Sequence, residues 1–142
     1  MNPDQRRAVE IDVRRIVPCF FMHLDNQEFD SLADLMAPDG VWHRAGKELR
    51  GRAMLLAAMD ARGATRRTRH LITNLIVDAI DGDHAEAVFY STAFVHTDAA
   101  PDVIAPMELP SSIGTYRATF VRMPDGWRIA AFKSQMAFRR QS

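Results

Sequence analysis

Imidazole is the side chain best suited to moving protons near neutral pH, and the chain carries five histidines, at positions 23, 43, 70, 84 and 96. None of them shows a metal-binding spacing such as His-x-x-x-His with a further ligand, so no metal centre is expected. Cys19 is the only cysteine, which excludes a cysteine cluster and an intrachain disulfide. Phosphate-binding glycine loops and nucleophile elbows are missing as well, and no cofactor is expected. His70 stands in TRHLITNLIVD, residues 68–78. On an extended backbone, alternation puts His70, Ile72, Asn74 and Ile76 on one face and Leu71, Thr73, Leu75 and Val77 on the other. Both faces are mainly apolar, so both are expected to be covered, and His70 and Asn74 to be shielded from water and in need of partners.

Other polar or aromatic candidates sit on neighbouring segments. His96 shares a face with Val88, Tyr90, Thr92 and Phe94, a mixture suited to a cavity wall, and Tyr116 alternates with Ala118 and Phe120. A buried phenol there requires a partner or a ligand. Trp42 and His43 are adjacent, so they point to opposite faces of their strand.

The elements that must position these residues follow from periodicity. Asn2 or Asp4 caps a helix whose stripe is Val9, Val13, Ile16, Val17, Phe20, Phe21 and Leu24, with a kink or break expected at Pro18. Short helices follow over Glu28–Met36, ending at the turn APDG, and over Gly51–Arg62, stopped by Gly63. Strands are expected over Val41–Ala45, Glu48–Arg50, Arg69–Asp78, Ala85–His96, Thr115–Met123 and Trp127–Phe138. Asp-Gly pairs in AIDGDHA and MPDGW signal hairpin turns. Helices first and an antiparallel sheet later indicate an α+β fold, with about three N-terminal helices on one face of a strongly curved sheet. The long connection between His96 and Thr115, with prolines at 101, 106 and 110, is a candidate lid.

With 142 residues, 1–142 is expected to form one domain. Eighteen basic and eighteen acidic residues give zero formal net charge, which argues against nucleic-acid and polybasic membrane partners. The Arg66, Arg67 and Arg69 run is read as a solvated loop beside a strand. The first fifteen residues are charged rather than apolar, and no apolar run approaches the ~20 residues of a membrane span, so a soluble, cytoplasmic protein is expected.

The series HLDNQEFDSLADLMAPDGVWHRAG, GRAMLLAAM, TRHLITNLIVDAIDGDHAEAVFY and GTYRATFVRMPDGWRIAAF resembles the SnoaL-like branch of the nuclear transport factor two-like superfamily over nearly the whole chain. The resemblance implies a cone in which three helices close a curved, mainly antiparallel sheet around a deep, mostly apolar cavity. It also implies a homodimer or homotrimer formed through the exposed sheet face.

At the pocket, the chain is similar to scytalone dehydratase and hexachlorocyclohexane dehydrochlorinase, which remove a proton with a His paired to an Asp. The matching residues are His70 and Asp25. A carboxylate on one ring nitrogen fixes the tautomer and leaves the other nitrogen free to take a proton. The dehydrochlorinase has a Lys in its first helix and an Arg on its last strand, where this chain has Phe20 and Phe132, so chloride elimination is not expected. The dehydratase uses a second His, matched by His96, and a Tyr where this chain offers Trp42 and His43. The resulting expectation is a cofactor-independent lyase or isomerase acting on a small apolar or polycyclic ligand. Asp25 and His70 would be catalytic, and Phe20, Trp42, His43, Tyr90, His96, Tyr116 and Phe132 would line the substrate site. Two alternatives use the same fold: a ligand-binding protein without chemistry, and an assembly module resembling the small subunit of ring-hydroxylating dioxygenases.

Overall fold

Asn2 starts the first helix, α1 (Pro3–Asp25), by accepting the Gln5 backbone N–H at 2.8 Å, while the Gln5 side chain accepts the Asn2 N–H at 2.9 Å. In the computed structural model, which describes residues 1–141, the expected stripe from Val9 to Leu24 is buried. Pro18 does not divide the helix. It lies on the exposed side, as does Arg14, the residue one turn earlier whose carbonyl it leaves without a donor. The chain leaves α1 through Gln27, whose left-handed φ of 58° turns it into α2 (Phe29–Asp34).

The segment APDG is not a turn but an irregular stretch inside β1 (Met36–Arg44), where the register on the last strand moves from Met36 opposite Ile129 to Val41 opposite Ala131. Gly40 is required there, because a Cβ would lie 2.8 Å from the Ile129 carbonyl oxygen. Ala45 and Gly46, with φ of 51° and 77°, turn β1 back into β2 (Lys47–Arg50), as a two-residue hairpin demands. Next come α3 (Gly51–Asp60) and the long strands β3 (Arg67–Ala79), β4 (His84–His96), β5 (Ser112–Met123) and β6 (Gly126–Arg139). At the last hairpin the turn residues are Pro124 and Asp125, and Gly126 already pairs with Met123.

The result is the expected α+β fold, with one curved, unclosed six-stranded sheet in the order β2-β1-β6-β5-β4-β3. Only β1 and β6 run parallel, and α1 packs mainly on β3.

One departure changes which residues face inward. β3 carries a bulge: Thr73 pairs with Tyr90 and Ile76 with Val88, leaving Asn74 and Leu75 opposite the single residue Phe89. Asn74 takes a left-handed φ of 55° and is exposed, contrary to the expectation that it is shielded. Before the bulge the inward set is Thr68, His70 and Ile72; after it, Leu75, Val77 and Ala79. The outer face of the strand is not covered in the monomer, with Leu71 53% and Ile76 57% exposed.

Candidate functional site

Asp25 is the last residue of α1 and meets the start of β3, the junction at which helix and sheet converge. Its Oδ1 lies 2.6 Å from His70 Nδ1 and accepts the Thr68 hydroxyl at 2.8 Å, and its Oδ2 accepts the His70 backbone N–H at 2.9 Å. Both side chains are nearly buried, His70 10% and Asp25 7% exposed. Burial pushes the Asp25 carboxyl up, but the ring hydrogen bond and charge of His70, the His70 amide and the Thr68 hydroxyl together outweigh it and hold the group below the usual carboxylate value. Asp25 is therefore an anion hydrogen-bonded through both oxygens, and it fixes His70 with Nδ1 toward the carboxylate and Nε2 left for another partner.

The Phe21 ring lies 5.0 Å from the imidazole and begins an aromatic cluster that fills the deep end of the cone. Phe20 and Phe132, 0% and 1% exposed, contact each other at 4.9 Å, and Trp42 stands edge-on to Phe20 at 5.2 Å. Phe89 stacks on Tyr116 at 5.4 Å, and Tyr116 reaches Phe21 at 5.8 Å. Burial raises the Tyr116 phenol above its ordinary value, against the opposing influences of Ser134 and the Arg44 charge, so it is a protonated donor at neutral pH. The structure thus gathers Asp25, His70, Phe20, Trp42, Tyr116 and Phe132 on the inner side of the sheet. Phe20 and Phe132 sit inside the packed core rather than on an open wall.

Three expected residues are not in this group. Tyr90, 46% exposed, lies on the outer face, because β4 buries the alternate set Ala85, Ala87, Phe89, Ser91 and Ala93. His96 has the same outward phase as Tyr90 and flanks an apolar groove formed with Leu71, Phe94, Met107 and Leu109. His43 is 42% exposed and faces Glu48 across the β1–β2 pair at 3.7 Å. The expected lid is tied down on the same outer side. Arg67 donates to the carbonyls of Val103 and Ala100 at 2.6 and 2.9 Å, and Arg140 donates to that of Leu109 at 2.8 Å.

Residues not assigned to a site from the sequence stand beside this group. Thr68 shares the inward phase of His70 two residues away, a signal the alternation already carried. Ser91 buries an Oγ with no hydrogen-bond partner. Arg44, one alternation beyond Trp42, holds its guanidinium 5.5 Å from the Trp42 ring centre. Arg62 and Arg66 come from the segment after α3, which Gln27 fastens to the end of α1 by donating to the Ala64 and Arg66 carbonyls at 3.1 and 3.0 Å. Arg66 is half-buried, unlike the solvated residue expected. Among the described residues no group of three or more His, Cys, Asp or Glu side chains is placed to hold a metal ion. No described helix is long and apolar enough to cross a membrane.

Comparison with known proteins gives these features a context. The sequence profile of a family described as SnoaL-like domain matches residues 5–133. No curated protein matches the chain. Among solved structures, a protein from Catenulispora acidiphila is 24% identical, with 92% of each chain covered and a TM-score of 0.74. A putative scytalone dehydratase from Novosphingobium aromaticivorans is 18% identical over 99% of this chain and 92% of its own, with a TM-score of 0.81. A type 2 hexachlorocyclohexane dehydrochlorinase is 13% identical over 98% and 92%, with a TM-score of 0.79. At these identities the structures share the fold.

Proposed function

The chain belongs to the SnoaL-like domain family of the nuclear transport factor two-like superfamily, and on that premise we propose that it is a cofactor-independent lyase or isomerase with His70 as its base. The observation that carries this reading is the 2.6 Å contact between Asp25 Oδ1 and His70 Nδ1. With Nδ1–H held by the carboxylate, Nε2 offers its lone pair to a carbon-bound proton of a small apolar or polycyclic ligand. As the C–H bond breaks, its electron pair moves toward an adjacent carbonyl. The proton arrives on Nε2, and Asp25 stabilises the imidazolium. Tyr116 donates to the developing oxyanion. Expulsion of a β leaving group completes an elimination; return of the proton to another carbon completes an isomerisation.

Two fold relatives, the putative scytalone dehydratase and the hexachlorocyclohexane dehydrochlorinase, are compatible with such chemistry. The apolar Phe20–Phe132 contact argues against chloride elimination in this chain. In this reading the protein works as a homodimer or homotrimer, with the exposed Leu71, Ile76, Tyr90 and Phe138 of the outer sheet face at the interface and no nucleic-acid or membrane partner.

A second reading, a binding protein without chemistry, draws on the two further bonds by which Asp25 ties α1 to the backbone of His70 and to Thr68. The two separate when a panel of small ketones and polycyclic alcohols is incubated in deuterated water. Proton exchange or elimination that falls about 10²- to 10⁴-fold in His70→Ala supports the base. A loss of only a few-fold sinks it, and ligand that binds tightly yet is recovered unlabelled favours the binding protein.

A further inference from the structure

The half-buried arginines of this chain divide into two kinds. Arg67 and Arg128 are satisfied, Arg67 by the Val103 and Ala100 carbonyls and Arg128 by Asp125 at 2.8 Å. Arg44, Arg62 and Arg66 have no carboxylate partner: the ion pairs of the described residues go to Arg7, Arg50, Arg52, Arg128 and Arg140. The Nε atoms of Arg62 and Arg66 are buried without any hydrogen-bond partner. Leaving such donors unmatched is costly, and guanidinium edges are built to pair with anionic oxygens two at a time.

The three charges also gather at one place. Burial, then the charges of Arg66 and Arg44, push the Arg62 guanidinium down to about 10, with Asp25 opposing them. Burial and Arg66 likewise lower Arg44, against Tyr116. Asp25 is the acid nearest to hand, but its hydrogen bonds go to Thr68 and to the ring and amide of His70, and none goes to an arginine among the described residues. A cluster of like charges with free donors, beside the base and next to the Trp42 face, lacks an anion that the chain itself does not supply.

We propose that the protein binds an organic anion, whose carboxylate or phosphate is held by Arg44, Arg62 and Arg66 while its apolar body lies against Trp42 and Tyr116 beside His70. The inference rests on the reading above for the chemistry done on that ligand, but its binding is tested separately.

The experiment compares naphthalene-2-carboxylate, 2-naphthyl phosphate and the neutral 2-naphthamide by calorimetry, in the wild type and in Arg62→Gln and Arg66→Gln. The expected result is that one of the two anions binds the wild type at least about tenfold more tightly than the amide, that added salt narrows the gap, and that both variants abolish it. Whichever anion wins identifies the head group. Equal affinity for all three in the wild type overturns the proposal without reliance on any variant, and so does a preference that survives both substitutions. Arginine Nε–Hε resonances provide a readout free of the naphthyl body. Millimolar formate or inorganic phosphate is expected to move those of Arg62 and Arg66, and no movement with either overturns the site. A His70→Ala protein that keeps the anion preference while proton exchange is lost supports both readings. One that keeps the preference and the exchange removes the base and leaves the anion site standing.

Discussion

The inner side of the cone has two ends that handle burial differently. At the deep end, Phe20, Phe89 and Phe132 are 0–1% exposed and surrounded by other rings. At the other end, where α1 meets β3, one charged group, Asp25, is hydrogen-bonded through both oxygens, while Arg62 and Arg66 keep buried donors with no acceptor. Aromatic packing of this kind stabilises the fold and asks nothing more of its surroundings. Unmatched charge does the reverse: it lowers stability until something arrives to match it. The contrast assigns structure to one end and recognition to the other, and it makes quantitative demands.

The largest effect belongs to the deep end. Phe132→Ala removes a ring touching Phe20, Phe21, Trp42, Phe89 and Tyr116, and the cluster cannot collapse around so central a void. A loss of about 3–5 kcal/mol in urea unfolding is expected. A loss below ~1 kcal/mol would mean that the rings are loosely packed and the deep end is an open cavity after all.

Next comes Asp25→Asn, which leaves an amide where the Thr68 hydroxyl and His70 donors converge, at a cost of about 1–3 kcal/mol near neutral pH. Its pH dependence has a definite sign. The folded carboxyl sits below its ordinary value, so the unfolded chain takes up the proton first as pH falls. The stability Asp25 contributes is complete above the ordinary carboxylate range and disappears as pH drops through the lowered folded value. The wild-type advantage over Asp25→Asn must therefore shrink in acid, and an advantage that stays constant would show that the charge is not what stabilises the junction. In the same variant, ¹⁵N NMR is expected to show neutral His70 losing its single Nδ1–H tautomer for a mixture. Thr68→Val, which deletes one hydrogen bond to the carboxylate and leaves the methyl packing, is expected to cost about 1 kcal/mol in the same assay.

How much of this the sequence discloses depends on how local the determining physics is. The α1 stripe and the long strands were legible because burial repeats at 3.6 or 2 residues along one segment. The His70 and Asp25 pairing was legible only through the family pattern, since nothing in a helix end and a strand start forty-five residues apart says that they meet. Thr68 was within reach, sharing the phase of His70. Asn74 was lost to a single-residue bulge, which inverts every later position of the strand without a proline or glycine to announce it. Tyr90 and His96 were misplaced because β4 buries mostly small residues, Ala85, Ala87, Ser91 and Ala93, where α1 and the rings of the core already occupy the space. The larger Val88, Tyr90 and Phe94 therefore looked like the inner face. Arg66 could not be told from Arg67 and Arg69, since the path of a loop, not its composition, decides which of three arginines turns inward.

The smallest effects provide the most discriminating comparison, between two arginines replaced by the same residue. Arg66→Met keeps the aliphatic stem and removes a half-buried charge that repels Arg44 and Arg62, so stability is expected to rise by about 0.5–1 kcal/mol even as anion binding is lost. Arg52→Met removes a charge that bonds Asp34 at 2.6 Å and Asp30 at 3.2 Å, the one arginine among the described residues with two carboxylate partners. By contact counting it should be the more damaging change. Both its carboxylates are largely exposed, however, and water and salt already screen what the bridges could contribute, so no resolvable shift in melting temperature is expected. A stability gain at the arginine without a partner, beside indifference at the arginine with two, would show that the arginine end is held against its own folding preference. If Arg66→Met destabilises instead, the guanidinium is serving the fold, and the asymmetry between the two ends of the cone loses its functional meaning.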